Sequence, residues 1–242
     1  MNHETVSDLH RYLRQQRERY GDELYVEQDV LRAAELAAQG LTEENGEVTE
    51  AWKSARTLEH LYDLIHDCRK CPLAESRNKF VFGVGDPEAD IVLVGEAPGA
   101  EEDRRGEPFV GRAGQLLDKI LAAVELSRED VFICNILKCR PPKNRDPLPA
   151  EVEQCEPYLH KQLEVLKPKI MLALGRIAAQ TLLRTKDSLT KLRAGVHEYQ
   201  GIPLVVTYHP AALLRNPNWK RPTWEDVQKF RQLYDELKST AE

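Results

Sequence analysis

Residues 91–99 read IVLVGEAPG, a β-branched apolar run that ends in a loop of glycine, proline and one acidic residue. Three more apolar runs follow along the chain, VFIC (131–134), IMLAL (170–174) and LVVTY (204–208), and helical stretches separate them. Unbroken apolar strands that alternate with helices are typical of a parallel sheet covered on both faces. The sequence therefore predicts a three-layer α/β/α fold with a four-stranded parallel sheet.

The helices of this pattern lie beside the predicted strands. By their apolar spacing they cover residues 57–66, 111–124, about 150–166, 176–184 and about 222–237. Gly83-Val-Gly85, which precedes the first strand and has no helix after it, is interpreted as a turn. No internal repeat interrupts the pattern, so the sequence predicts one main domain.

Charge is divided unevenly along the chain. The 242 residues carry a formal net charge of −6. Residues 1–50 hold 5 basic and 12 acidic side chains, a net of −7, so the rest of the chain holds 29 and 28, a net of +1. We therefore predict a helical, acidic N-terminal extension over residues 1–50, with helices at 5–20 and 31–39 and a linker at 41–50, followed by a main domain over residues 51–242.

Composition excludes several classes of protein. The chain is 41% hydrophobic and 31% charged, which is typical of a folded protein rather than a disordered one. No apolar run reaches the roughly 18–20 residues of a membrane span, and the first residues contain no apolar core of a secretory signal. Five cysteines, an odd number, argue against a disulfide framework. We therefore expect a cytoplasmic protein without a membrane partner.

Polar residues follow the predicted strands at the edge where an α/β sheet binds its ligands. In chain order they are Gly95-Glu96, Asn135, Gly175 and His209. Each has an ordinary structural alternative: a solvated carboxylate for Glu96, a turn residue for Asn135, and a structural turn histidine for His209. Phe109, between two glycines, is either a core residue or a stacking platform for a base. Because these residues are all expected at one edge of the sheet, the sequence predicts a ligand-binding site there.

Two short stretches are rich in positive charge. One contains Lys138, Arg140, Lys143 and Arg145. The other, between Glu198 and Glu225, has no acidic residue and contains His209, Arg215, Lys220 and Arg221. One such cluster is often only a solvated face, but two on one domain predict a surface that binds anions.

Four cysteines are placed to share a metal centre. Cys68 and Cys71 have a two-residue spacing that lets two thiolates point at one centre, and Cys139 and Cys155 lie on a second loop and the helix after it. Four thiolates suit either Zn²⁺ or an iron–sulfur cluster, and ordinary reduced thiols remain the alternative. Cys134 falls within a strand and is predicted to be a small buried residue.

Four motifs together resemble the family 4 uracil-DNA glycosylases, the iron–sulfur type within the uracil-DNA glycosylase superfamily. They are GEAPG (95–99), GEPFVGRAG (106–114), CNILKCRPP (134–142) and HPAALLR (209–215), in this order within about residues 55–238. The resemblance implies that residues 51–242 form a monomeric catalytic domain that flips uracil out of single- or double-stranded DNA. It implies hydrolysis of the N-glycosidic bond, leaving an abasic site, as the first step of base excision repair.

The resemblance also assigns roles to individual residues. A structural [4Fe-4S] cluster would be held by Cys68, Cys71, Cys139 and Cys155. The substrate pocket would be formed by Gly95, Glu96, Ala97, Phe109, Asn135 and His209. In that pocket Phe109 would stack on uracil and Asn135 would read its amide edge. His209 would stabilise the departing uracil anion, and Glu96 would either position the attacking water or offset the positive charge of the sugar.

Two further assignments concern the surface that meets DNA. Leu213 would enter the duplex and fill the space that the flipped base leaves. The acidic stretch at 101–103 would either exclude the methyl group of thymine or form a solvated turn. Two other functions compete with the glycosylase: a non-catalytic iron–sulfur module that binds DNA, which would tolerate loss of Glu96 and His209, and an enzyme for free nucleotides, which would not need Leu213.

Overall fold

The computed structural model describes residues 28–44 and 47–240, so the helix expected at 5–20 lies outside the described residues. The chain divides into two compact units between Ser54 and Ala55. The first unit contains helix α1 (Gln28–Ala38), which confirms the helix predicted at 31–39. It also contains a pair of antiparallel strands, β1 (Leu41–Glu44) and β2 (Glu47–Glu50), followed by a short 3-10 helix.

The linker predicted at 41–50 is therefore wrong. In the pair of strands Thr42 lies opposite Thr49, and Glu43 lies opposite Val48. These β-branched residues favour extended backbone, and the sequence between the strands is Asn-Gly, a common connection in β-hairpins. Each strand is only four residues long and contains acidic side chains, so the sequence shows no recognisable strand pattern.

The second unit is built on a six-stranded sheet. Its strands are β3 (Val84–Gly85), β4 (Ile91–Gly95), β5 (Phe132–Asn135), β6 (Ile170–Leu174), β7 (Val196–Tyr199) and β8 (Ile202–Thr207), in the spatial order β3-β5-β4-β6-β8-β7. The four central strands pair in parallel and are the four that the sequence predicts. The α/β fold class is confirmed, and β3 and β7 add an antiparallel strand at each edge.

The two edge strands have no apolar run that would reveal them. The segment interpreted as a turn contains β3, where Gly85 has φ +128° and a methyl group on it would lie 1.9 Å from the Val131 carbonyl oxygen. Only glycine allows this close approach to the neighbouring strand. Strand β7 contains His197 and Glu198 and is largely exposed, as edge strands usually are.

Helices flank the sheet. They are α2 (Leu58–Ile65), α3 (Leu73–Ser76), α4 (Ala100–Arg105), α5 (Arg112–Ala122), α6 (Pro149–Leu166), α7 (Arg176–Leu182), α8 (Leu189–Arg193), α9 (Pro210–Arg215) and α10 (Lys220–Thr240). The predicted helices correspond to α2, α5, α6, α7 and α10. The other four have only four to six residues, too few to show an apolar stripe.

The core explains why the parallel strands are apolar on both faces. All five residues of β4 are buried. On one face Leu117 of α5 and Phe230 of α10 belong to the same buried cluster as Leu93 and Leu172. No helix in residues 28–44 and 47–240 combines the length and apolar character needed to cross a bilayer.

Candidate active site

At the carboxyl end of β4, Gly95 has no side chain, and the side chains of two other residues pack against its backbone. We call this place the slot. Gly95 pairs in register with Asn135, the last residue of β5. A methyl group on Gly95 would lie 2.3 Å from Oδ1 of Asn135 and 2.8 Å from Cζ of Phe109. Any larger residue at this position would displace one or both side chains. The structure thus brings together Gly95, Phe109 and Asn135, as the sequence predicts.

The loop that carries Phe109 is fixed from two sides. Phe109 adopts the left-handed conformation, with φ 53°, which is uncommon for a large side chain. The Arg128 guanidinium donates hydrogen bonds to the carbonyl oxygens of Pro108 and Phe109. Oε1 of Glu102 accepts from the backbone N–H groups of Val110 and Gly111, each at 3.1 Å. These contacts hold the ring in place before any ligand arrives.

The acidic stretch at 101–103 is mostly internal rather than a solvated turn. Glu102 holds the Phe109 loop, and Asp103 is buried and accepts hydrogen bonds from the backbone and side-chain nitrogens of Asn78. Only Glu101 is exposed, where it pairs with Arg104. The stretch therefore supports the loops around the slot.

His209 lies against the ring of Phe109. The two rings stack with centroids 5.4 Å apart and an interplanar angle of 28°. Nδ1 of His209 accepts a hydrogen bond from the backbone N–H of Ala211 at 3.1 Å, so the proton of the neutral ring sits on Nε2. Burial, assisted by the charge of Arg215, lowers the pKa of His209 to about 4. At neutral pH the site contains an uncharged imidazole with a free N–H donor.

The pKa of Glu96, one residue beyond Gly95, is shifted in the opposite direction from that of His209, and burial is again the main cause. Burial and the nearby charge of Asp146 raise its pKa to about 7, although Arg176 acts against this shift. Its carboxylate has no hydrogen-bond partner among the described residues. Sequence reasoning missed Asp146 and Arg176. Arg176 lies two residues beyond the end of the third predicted strand, directly after Gly175, a position that could have identified it.

Asn135 is held by a buried polar chain that the sequence did not reveal. Nζ of Lys138 donates to the Asn135 carbonyl oxygen at 2.8 Å and to Oε1 of Gln162 at 2.5 Å. Nε2 of Gln162 in turn donates to the Phe82 carbonyl oxygen at 3.0 Å. The side-chain amide of Asn135 makes no hydrogen bond to any residue that the structure describes, so its donor and acceptor are available to a ligand.

The first basic stretch presents only part of its charge to solvent: Lys143 is exposed, but Lys138 and Arg145 are bound by acceptors within the protein. Lys138 is 0% exposed, and the guanidinium of Arg145 donates to both carboxylate oxygens of Glu151, at 2.9 and 2.5 Å. The prediction of an anion-binding surface is wrong for these two residues, because internal acceptors bind both. The second stretch agrees with the prediction: Arg215, Lys220 and Arg221 are all exposed.

Helix α9 carries two leucines with opposite orientations. Leu213, predicted to enter DNA, is 1% exposed, whereas Leu214 is 42% exposed. The helix turns Leu213 toward the interior and Leu214 toward solvent. The entry of Leu213 into DNA stays a prediction. Ala97, the remaining predicted pocket residue, is half-buried in the loop after β4.

The five cysteines are free thiols. Four of them lie in two neighbouring regions: Cys68 and Cys71 follow α2, and Cys139 and Cys155 lie after β5 and in α6. Cys68 and Cys71 are half-buried, while Cys139 and Cys155 are buried. Cys134 is 0% exposed within β5, which confirms its prediction as a core residue. In the part of the chain that the structure describes, no set of three or more His, Cys, Asp or Glu side chains is spaced to hold a single metal ion.

Hydrogen-bond donors point at three of the four sulfurs. Nη1 of Arg77 lies 3.3 Å from Sγ of Cys139, the Tyr158 hydroxyl 3.2 Å from Sγ of Cys68, and the Lys138 backbone nitrogen 3.2 Å from Sγ of Cys155. Nη1 of Arg77 also donates to the Cys68 carbonyl oxygen at 2.6 Å and thereby joins the two regions. Donors of this kind stabilise thiolates that ligate metal centres.

Comparison with known proteins places this geometry in a family. The model of the uracil DNA glycosylase superfamily matches residues 82–237, a segment that holds every strand of the sheet. The chain belongs to the uracil-DNA glycosylase superfamily. It is 44% identical over 187 residues to the type-4 uracil-DNA glycosylase of Archaeoglobus fulgidus, a match that covers 73% of this chain and 94% of that protein.

Further relatives include a second type-4 enzyme and a more distant type-5 enzyme. The type-4 uracil-DNA glycosylase of Pyrobaculum aerophilum is 44% identical over 183 residues, covering 72% of this chain and 92% of that protein. The type-5 uracil-DNA glycosylase of Thermus thermophilus is 36% identical over 149 residues, covering 53% of this chain and 68% of that protein. The resemblance inferred from the four motifs is confirmed.

Proposed function

We propose that this chain is a uracil-DNA glycosylase, which hydrolyses the N-glycosidic bond of deoxyuridine in DNA and releases uracil. The observation that carries the proposal is the position of His209, which stacks on Phe109 and whose Nδ1 accepts a hydrogen bond, so that the proton of the neutral ring lies on Nε2. Phe109 and Asn135 both pack against the backbone of Gly95. A donor of this kind suits a reaction in which negative charge develops on a departing base.

The slot suits a planar base that has been flipped out of the DNA stack. A base inside a duplex cannot reach a buried pocket, so the nucleotide must be turned out at a cost of a few kcal/mol. Phe109 offers a ring held by its own backbone contacts, and Asn135 offers both an amide donor and an acceptor. Uracil presents the complementary N–H and carbonyl groups at its amide edge, which the Asn135 amide would pair with.

The chemistry would divide between two residues, His209 and Glu96. As the C1′–N1 bond breaks, its electron pair leaves with uracil, and Nε2–H of His209 would donate to the uracil O2, where negative charge collects. Water would add to C1′ and lose its proton to the Glu96 carboxylate. Because the pKa of Glu96 is about 7, the group is poised to accept that proton near neutral pH.

We propose that Cys68, Cys71, Cys139 and Cys155 hold a [4Fe-4S] cluster. The donors from Arg77, Tyr158 and Lys138 to three of the sulfurs support four thiolates at this place. The cluster would supply a structural crosslink and no redox step, since hydrolysis transfers no electrons. It would fix the loop after β5, which directly follows Asn135, to the segment after α2.

We also propose the organisation of the whole chain around this site. Residues 51–242 would form the catalytic domain and residues 1–50 an acidic extension, and the boundary between compact units at Ser54 and Ala55 supports that division. The enzyme would act as a monomer, because one chain supplies every proposed catalytic group. It would be located inside the cell with its DNA substrate and without a membrane partner.

The proposal is tested with oligonucleotides that contain one uracil, single-stranded or paired with guanine or adenine. After incubation and alkaline cleavage, a shorter strand should appear at the uracil position, and the matched thymine oligonucleotide should stay intact. Glu96→Gln should slow the appearance of the product. If the wild-type chain leaves every uracil substrate uncut, the function is wrong.

The cluster has a separate test. The purified protein should contain about four iron atoms per chain and absorb near 400 nm, and Cys139→Ala should lose both iron and absorbance. Cys134→Ala is the matched control, because Cys134 is buried outside the proposed ligand set and its loss should leave the iron content unchanged. Stoichiometric zinc instead of iron would contradict the cluster.

A further inference from the structure

A column of stacked groups stands next to the candidate active site. The rings of Tyr208 and Trp219 are nearly parallel, with centroids 4.9 Å apart and an interplanar angle of 12°. The guanidinium of Arg193 lies over the same Tyr208 ring, 4.5 Å from its centroid. Tyr208 is the residue directly before His209, so the column and the proposed catalytic imidazole share one short stretch of backbone.

The base of the column is anchored in the protein interior. Nε and Nη2 of Arg193 donate to the two carboxylate oxygens of Asp226 at 2.6 and 2.9 Å, and Nη2 also donates to the Pro222 carbonyl oxygen at 2.8 Å. Asp226 is 7% exposed and accepts a further bond from the Thr207 hydroxyl at 2.7 Å. A guanidinium with this many bonds holds the rings above it in one orientation.

The outer end of the column is an exposed indole that lies close in sequence to positive charge. Trp219 is 36% exposed, although Tyr208 covers one of its faces. Arg215, Lys220 and Arg221 are exposed nearby in sequence, and Arg221 pairs with Glu225. An exposed indole among cations is the combination with which proteins bind unpaired nucleic acid: the ring stacks on a base and the cations attract phosphates.

We propose that the outer face of Trp219 binds an unpaired base of the substrate strand, next to the nucleotide held at His209. This inference rests on the proposed function, since it takes DNA as the substrate. Stacking on an aromatic ring accepts any of the four bases. Neighbouring bases are free to stack on Trp219 in single-stranded DNA but are paired in a duplex. The column therefore gives the enzyme a preference for uracil in single strands.

The test compares Trp219→Ala with Trp224→Ala. Trp224 is 41% exposed, but it lines a groove with the acidic residues Glu125, Asp235 and Glu236, so it controls for the loss of an exposed indole. Trp219→Ala should raise KM for a single-stranded uracil oligonucleotide about 5- to 100-fold, with kcat within twofold and duplex KM within threefold. Trp219→Phe should restore most of the affinity, and Trp224→Ala should behave as wild type.

Direct binding separates this inference from the proposed function. The anisotropy of a labelled single-stranded oligonucleotide without uracil reports binding whether or not excision occurs. Weaker binding by Trp219→Ala alone supports the platform even if uracil is never released. Wild-type affinity of Trp219→Ala for single strands, or an equal loss for single strands and duplexes, overturns the platform while leaving a measured glycosylase activity intact.

Discussion

The loop after β5 (residues 136–145, the β5 loop) and the segment after β8 (residues 208–221, the β8 segment) are both rich in positive charge, but their charged side chains have different surroundings. In the β5 loop, Lys138 is buried against Asn135 and Gln162, and Arg145 is bound to Glu151. In the β8 segment, Arg215 and Lys220 are exposed. Charge density alone does not reveal a ligand surface, because internal acceptors decide which cations remain available.

The largest expected effect concerns His209 in the β8 segment. His209→Asn keeps an acceptor for the Ala211 N–H but removes the Nε2–H donor, so we expect kcat to fall about 100- to 1000-fold. The free energy of unfolding should fall by only about 1 kcal/mol, the typical cost of a point substitution, because the stacking of the imidazole on Phe109 is lost. Steady-state excision of uracil and urea unfolding measure the two quantities. A large loss of stability would place His209 among the structural residues.

The pH dependence of kcat/KM tests the roles assigned to His209 and Glu96. Wild-type kcat/KM should rise with pH through about 7, because Glu96 must lose its proton to act as a base. His209 adds no second limb near neutrality, since its pKa of about 4 keeps it neutral there. The limb near pH 7 should survive in His209→Asn and disappear in Glu96→Gln. A limb that disappears in His209→Asn would contradict these roles.

The next effect should appear in the β5 loop as lower stability. Lys138→Met removes the amine and leaves the Asn135 carbonyl and the Gln162 amide oxygen without their donor. We expect the free energy of unfolding to fall by about 3 kcal/mol in urea titrations, since each unsatisfied buried group costs about 1–3 kcal/mol. Lys143→Met, at an exposed lysine of the same loop, is the control. Equal stability of the two variants would show that the hydrogen bonds of Lys138 do not stabilise the fold.

A smaller effect should appear in the salt dependence of DNA binding. The double variant Arg215→Gln/Lys220→Gln should weaken duplex binding about tenfold at low salt. It should also flatten the plot of log Kd against log salt by about 1 for each phosphate that is no longer neutralised. Arg145→Gln should leave that slope unchanged, because Glu151 already binds its guanidinium. Anisotropy titrations at several salt concentrations measure the slope. A flatter slope for Arg145→Gln would remove the distinction between the two regions.

The smallest effect should distinguish the two leucines of α9. Leu214→Ala should lower kcat/KM on duplex DNA about 3- to 10-fold and have less effect on single strands, since only a duplex has a vacated stack to fill. Leu213→Ala should instead lower the free energy of unfolding by about 2–5 kcal/mol, as buried leucines do. If Leu213→Ala impaired duplex cleavage without losing stability, Leu213 would have to leave the interior during the reaction.

The sequence revealed those parts of the molecule that depend on local pattern. The four parallel strands are apolar at nearly every position because helices cover both faces, and the strand ends place Glu96, Asn135 and His209 at one edge. Strands β3 and β7 are too short or too exposed to show a pattern. The burial of Lys138 depends on Gln162, 24 residues further along the chain, and the difference between Leu213 and Leu214 depends on how α9 is rotated. Tertiary contacts decide both.

The slot at Gly95 also has a genetic consequence. Every missense change in this codon introduces a side chain, and even a methyl group must displace Asn135 or Phe109. We therefore expect alleles of this codon to encode a folded protein that no longer accepts the base. Uracil from deaminated cytosine would then persist and be copied as thymine. The addition of a single methyl group at Gly95, at the end of β4, would therefore appear in the genome as an excess of C·G to T·A transitions.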